Sequence, residues 1–205
     1  MYVMYTPHAF RFQDDQEMIR FIQQYSFATM VTCLDTIPVA TQLPFLVEDR
    51  TDKLLLSSHF AVANDQAKHI VNDTSLIIFT EPHAYISPQH YDKKESVPTW
   101  DYIAVHAYGK ARLLTDDRSK IQLLERMIHY YDPVYMHQWK ELSDTFKSRM
   151  IKGIVAFEME VTQLQGQKKL SQNKTVAERE KIAVHLANSP NQVEKSLASF
   201  IKDTL

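Results

Sequence analysis

Apolar residues recur at every second position through much of the middle of this chain, the mark of strands with one buried face. Val39, Thr41, Leu43, Phe45 and Val47 alternate with Ala40, Gln42 and Pro44. Ser26 to Leu34 is rich in β-formers and apolar on both faces, and predicts another strand. Glu48 to Lys53 is polar and turn-like, and Leu54 to Ser58 and Ser75 to Thr80 follow as strands. Tyr102 to Thr115 predicts a long strand with Ile103, Val105, Ala107, Ala111 and Leu113 on one face and Gly109 marking a bulge or bend. The clearest alternation runs from Ile154 to Leu164. Val155, Phe157, Met159 and Val161 oppose Glu158, Glu160 and Thr162, which predicts a sheet with one wet face.

The period changes elsewhere. Asp14 to Tyr25 predicts a short helix, with Asp14 and Glu17 at capping-box spacing and Met18, Ile22 and Tyr25 along one face. Ala63 to Asn72 predicts another short helix. Asp116 to Tyr131 carries the stripe Ile121, Leu124, Ile128 and Tyr131, and Asp132-Pro133 ends it. Helical or irregular chain is expected from there to Met150. Thr175 to Glu178 is a capping box opening a helix, and Ser189 to Gln192 opens a last one with Pro190 at its first position. Strands in runs, followed by helices, predict a mainly β fold with packed helices, a barrel or sandwich, and exclude a parallel α/β sheet. One domain is expected, its barrel over about 1–166 and a C-terminal helical segment over about 167–205.

Composition narrows the chemistry. The chain of 205 residues has a formal net charge of −2, a poor footprint for broad nucleic-acid binding. Cys33 is the only cysteine, which excludes an internal disulfide or thiolate cluster and fits a reducing compartment. Lying in an apolar strand, it is expected to be a buried, inert thiol. Met1 to Asp14 lacks a leader's apolar stretch, and no run of about 18 apolar residues occurs. The cytoplasm, with no membrane, is the expected place. With three glycines, Gly109, Gly153 and Gly166, neither a dinucleotide fingerprint nor a phosphate-cradling glycine loop can be built. The nine histidines show no metal-binding spacing, so no metal is expected. A Ser-His-Asp triad stays open but has no nucleophile motif behind it.

Four segments carry candidate chemistry. Leu56 to Asn64 reads as a strand end running into a helix, with Ser57, Ser58 and His59 suited to an anion at a helix N-terminus. A hydrogen-bonded cap without a ligand uses the same residue types. Pro82 to Pro88 and Val97 to Tyr102 place aromatics between prolines. They could wall a flat heterocycle, or form a loop packed on its own side chains. Lys168 to Lys174, with Arg179 beyond, offers cations and amide donors to a phosphate, or is a solvated basic turn.

Taken together, these segments resemble one family. The matching stretches are Met4 to Phe10, Ser58 to Asn64, Pro82 to Pro88, Val97 to Tyr102 running on to Gly109, Gly153 to Met159, and Lys169 to Lys174. The resemblance is to the PaiB family of FMN-binding negative transcriptional regulators and covers nearly the whole chain. It implies an FMN-binding split β-barrel related to pyridoxamine-phosphate oxidases, a homodimer, and repression of extracellular protease synthesis and sporulation through DNA or a protein partner. The phosphate of FMN is then expected at Ser57, Ser58, His59 and Lys169, with Asn64 supporting the loop. Tyr85 and Trp100 would wall the ring, and the backbone of Thr29, Val31 and Thr32 would meet its polar edge. Ser171, Lys174 and Arg179 complete the expected set. Two positions depart from the family: Glu81 replaces an expected Gly and Asp101 an expected Asn. The same barrel would also suit a flavin-dependent oxidoreductase of small molecules, or a haem-binding or haem-degrading protein.

Overall fold

The computed structural model describes residues 4–12 and 14–205, so the reading of a leaderless start lies partly outside the described residues. The strands are β1 (Arg11–Phe12), β2 (Phe27–Leu34), β3 (Ile37–Pro44), β4 (Leu46–Arg50), β5 (Lys53–Ala61), β6 (Ser75–Ile86), β7 (Thr99–Leu114) and β8 (Ile154–Lys169). They form one sheet in the order β3-β2-β6-β7-β8-β5-β4, with β1 added on β8. The helices are α1 (Asp15–Gln24), α2 (Asp117–Tyr131), α3 (Tyr135–Glu141), α4 (Asp144–Ile151), α5 (Val176–Ala187) and α6 (Gln192–Lys202). The chain divides into two compact units. One comprises the residues up to 18 with 80–106 and 165–205; the other comprises 19–79 and 107–164.

In the second unit, β2 and β3 form a hairpin whose two turn residues, Asp35 and Thr36, both have positive φ (47° and 71°). That is the geometry whose twist matches the flanking strands, here built without the usual Asn-Gly. Cys33 lies just before this turn and is exposed, which corrects the expected buried thiol. The alternation over 39–47 is not one strand. Pro44 cannot donate to a ladder, so β3 ends there. The Phe45 N–H turns to the Ser26 carbonyl at 2.8 Å, and β4 begins afresh against β5. Phe79, Phe45, Phe157 and Phe60 fill the core, with ring centroids 5.3 to 6.3 Å apart along the series. The helix expected over 63–72 is only a 3-10 turn, Asp65–Lys68. Its Gln66 side chain is drawn onto the β2–β3 hairpin, donating to the Met30 carbonyl at 3.0 Å.

The wet face expected of β8 is corrected at its centre. α2 lies over it, with Leu123 and Met127 packed on Leu46, Leu114 and Ala156. Glu158 is therefore only 5% exposed and is held by Arg112 and Arg126. On β7 the alternation holds to Ala111 and then slips. Leu113 is exposed, and Leu114 takes the inward place beneath α2.

In the first unit, Thr175 and Glu178 form the expected capping box of α5. Glu178 also accepts the Asp92 N–H at 2.9 Å, which ties down the loop after β6. α6 is capped by Asn191, so Pro190 lies before the helix and not at its first position. Arg179, 7% exposed, donates to the Thr204 and Ile201 carbonyls at the end of α6, where a cation offsets the helix dipole.

Gly109 has no positive φ. It is required by contact: a Cβ there would come within 2.1 Å of the Glu160 carbonyl oxygen and 2.9 Å of the Met159 side chain. Backbone has nowhere to go when two strands meet this closely. Gly109→Ala is expected to lower stability by about 3 kcal/mol or more, and the melting temperature by roughly 5 °C or more. Gly153→Ala, whose Cβ would meet only the Met150 carbonyl at 3.3 Å, serves as control. Equal melting temperatures for the two variants would refute the reading.

Candidate functional site

The Ser-Ser-His run lies well inside β5, which continues to Ala61, and not at a helix N-terminus. Side chains alternate across a strand, so Ser57 and His59 share one face and Ser58 takes the other. Ser58 Oγ donates to the Pro44 carbonyl at 2.7 Å and is fully buried. Its hydroxyl therefore has a partner within the chain, whereas that of its neighbour Ser57 does not. Ser57 Oγ and His59 Nδ1 are both buried without a hydrogen-bond partner. Burial lowers the pKa of His59, so its imidazole is neutral and offers one N–H at neutral pH. Leaving such groups orphaned costs about 1–3 kcal/mol each, a cost that an added acceptor removes.

The other expected residues of this unit have clear local roles. Asn64 caps the 3-10 turn, accepting from the Gln66 N–H at 3.0 Å and donating to Thr41 Oγ1 at 2.9 Å. Thr29 and Val31 lie on β2 with β3 on one side and β6 on the other. Their backbone groups face neighbouring strands, so only half-buried side chains are presented outward. Thr32 lies beyond the β6 register, and its Oγ1 is buried without a partner.

In the first unit, Tyr85 and Trp100 stand on the outward positions of β6 and β7, about half exposed. Their rings meet edge to face, 5.9 Å apart at 73°, with His83 6.1 Å from Trp100. Such a pair presents an open apolar face suited to a flat ring. The basic segment is neither free nor merely solvated. Lys169 Nζ donates to Thr99 Oγ1 and, at 2.6 Å, to the Trp100 carbonyl. Lys174 lies 3.6 Å from the centroid of the Tyr91 ring. Ser171, at φ 57°, donates to Asp101 Oδ2 at 2.6 Å.

Asp101 is the residue whose role the pattern of positions did not reveal. It is fully buried, and its Oδ1 has no partner, nor does the buried Tyr91 hydroxyl. Burial pushes its pKa up to about 6, against the opposing pull of Ser171, Lys169 and Arg179. The available signal was its departure from the family pattern, a carboxylate where a neutral amide is expected. Among the described residues, no group of three or more His, Cys, Asp or Glu could hold a metal ion.

Comparison with known proteins follows this geometry. A family model described as "Putative FMN-binding domain" matches residues 4–163. The chain is 35% identical over 206 residues to protease synthase and sporulation protein PAI 2 of Bacillus subtilis (strain 168), covering 98% of each. It is 25% identical to an uncharacterized protein of Emericella nidulans, covering 82% of this chain and 80% of that one. Among solved structures it is similar to the FAD and heme binding protein from Mycobacterium smegmatis, with a TM-score of 0.61 at 14% identity over 85% of this chain and 79% of that one. It is also similar to the flavocytochrome Anf3 from Azotobacter vinelandii, with a TM-score of 0.59 at 15% identity over 76% and 67%. At these identities the structural likeness is one of fold alone: a mainly antiparallel sheet with packed helices, shared with these two proteins.

Asp101 gives stability a definite pH dependence. The folded chain keeps its proton up to about pH 6, whereas the unfolded chain releases it near the ordinary aspartate value of 3.8. Stability from this group is therefore full below pH 3.8 and lost as pH rises to about 6. The loss is on the order of 3 kcal/mol. Asp101→Asn is expected to abolish it, so urea titrations of the two proteins should diverge steadily from pH 4 to pH 6. A difference independent of pH would refute this assignment.

Proposed function

This chain belongs to the PaiB family of FMN-binding proteins, and from that premise we propose that it is an FMN-dependent negative regulator of extracellular protease synthesis and sporulation. The observation behind the proposal is end-to-end similarity to the Bacillus subtilis protein over 98% of both chains. Its cofactor is FMN. When bound, FMN supplies one- and two-electron transfer at its ring system.

What the chain's own residues supply is binding and orientation. Ser57 and His59, on one face of β5, are buried polar atoms in want of a partner, which fits an oxyanion such as the cofactor's phosphate. Within their own unit, Tyr85 and Trp100 form an exposed aromatic face of a kind that suits a flat ring. The regulator works as a homodimer in the cytoplasm. A net charge of −2 supports action through a protein partner over a broad grip on DNA.

The test has two stages. Purified protein, mixed with FMN and desalted, is expected to keep the flavin absorption bands. His59→Ala and Ser57→Ala are each expected to weaken FMN binding about tenfold, the scale of one lost hydrogen bond to a charged group. Ser58→Ala should change affinity less than about twofold. Unchanged affinity in the Ser57 and His59 variants would refute the phosphate assignment. In a Bacillus subtilis strain lacking PAI 2, the chain is expected to restore low extracellular protease activity and normal spore counts. Failure to do so, with the protein present, would refute the regulatory role. Stopped-flow reduction by NADPH with turnover of a small molecule would instead favour an enzyme.

A further inference from the structure

The covering of β8 by α2 leaves a cavity of about 470 Å³ whose lining is dominated by three guanidinium groups, Arg50 of β4, Arg112 of β7 and Arg126 of α2. An adjoining cavity of about 200 Å³ shares Arg50 and Arg112 and adds Lys53 and Lys110. Five cations thus line the two cavities, against the carboxylates of Glu125, Glu158 and Glu160. In a chain with a net charge of −2, such a local excess is a departure that asks for a reason.

The carboxylates do not exhaust the donors. Glu125 accepts from the Trp139 indole at 3.0 Å, and Glu160 meets Lys53 at 3.9 Å. Glu158 accepts from Arg112 and Arg126, and Glu48 from Arg126 at 2.7 Å and Arg50 at 3.4 Å. A guanidinium has five N–H donors, so each of the three keeps donors beyond these bonds. The Arg112 side chain is 71% exposed and that of Arg50 44%, so both remain open to a ligand while they hold their partners. Holding Glu158 needs only Arg112 and Arg126. It does not explain Arg50, Lys53 and Lys110.

The wall supplied by α2 adds neutral donors. Ser119 and Gln122 lie in its first two turns, where the helix dipole favours negative charge. Leu114 is the one apolar residue lining the larger cavity, so there is no aromatic face for a base or flavin ring. Planar, bidentate guanidinium groups suit phosphate, and the volume exceeds that of a lone phosphate and falls in the range of small-ligand sites.

The geometry points to a second anion site in this protein, lined by neither Ser57 nor His59 of the FMN reading, which binds a small multiply charged phosphate compound between Arg50, Arg112 and Arg126. Occupancy would bridge α2 to the β4 end and the β7 strand, and so would stabilise the helix that covers the sheet.

Calorimetric titration of the full chain, with FMN present in excess and at fixed ionic strength, tests this. Pyrophosphate and a hexose bisphosphate serve as inorganic and organic probes, and citrate as a carboxylate of similar charge. Saturable binding of one phosphate probe per chain is expected, weakened tenfold or more in Arg50→Gln and in Arg112→Gln, with the flavin spectrum unchanged. Arg50→Gln leaves the Glu158 pairs intact, so folding is preserved. Which probe binds more tightly identifies the source of the phosphate. No saturable binding up to millimolar probe, affinity in both variants equal to that of the unaltered chain, citrate binding as tight as phosphate, or displacement of FMN would each overturn the site. Because the titration reads binding of the probes directly, its failure is distinct from a failure to retain flavin.

Discussion

A buried carboxylate determines how the strand-rich unit of this protein is covered. Glu158 lies at the centre of β8, 5% exposed, beneath α2. Burying an ionised carboxylate alone is prohibitive, so the helix can lie there only because Arg126 comes with it and Arg112 reaches across from β7. Removing one partner from such an arrangement typically costs about 3–5 kcal/mol. The apolar seam of Leu123 and Met127 on Leu46, Leu114 and Ala156 is possible only once that charge is matched. The same requirement concentrates guanidinium groups on one side of the sheet, and the cavity beside α2 is a consequence.

The second constraint is the strict alternation of a strand. Ser57, Ser58 and His59 read in sequence as one polar cluster, yet a pleated strand cannot aim consecutive side chains at one ligand. β5 divides them. Ser58 turns to the Pro44 carbonyl, at the point where Pro44 ends β3 and leaves its own strand without a donor. Ser57 and His59 remain on the opposite face with polar atoms unmatched. A hydroxyl that completes the fold and a hydroxyl without a partner are thus adjacent in sequence.

What was legible in the sequence was local. The Thr175 capping box and the alternation of β7 and β8 each depend on residues a few positions apart. What was not legible depends on partners far along the chain. Glu158 looks like a wet-face residue until α2, some thirty positions earlier, is placed above it. Gly109 looks like a bend until Glu160 is placed against it. The exposed Cys33 follows from a hairpin turn made of Asp35 and Thr36, residues that do not announce a left-handed pair. Ser57 and His59 were recognisable as candidates from the family resemblance, but their separation from Ser58 required the register of β5 against β8.

Charge placement ties these strands of argument together. A chain that is net acidic and binds an anionic cofactor has to keep its cations where they act. In the 168–174 segment they are matched internally: Lys168 pairs with Glu17, Lys169 bonds Thr99 and Trp100, and Lys174 lies on Tyr91. Arg179 closes α6. That segment therefore has its charges largely answered within the fold. Beside α2 the balance is reversed. Guanidinium groups from two strands and a helix converge there with donors left over after their bonds to Glu48 and Glu158, and none of those arginines stands out in a linear reading because Arg50, Arg112 and Arg126 are widely separated. Sequence density of charge and availability of charge are therefore different quantities, and in this protein the fold places them apart.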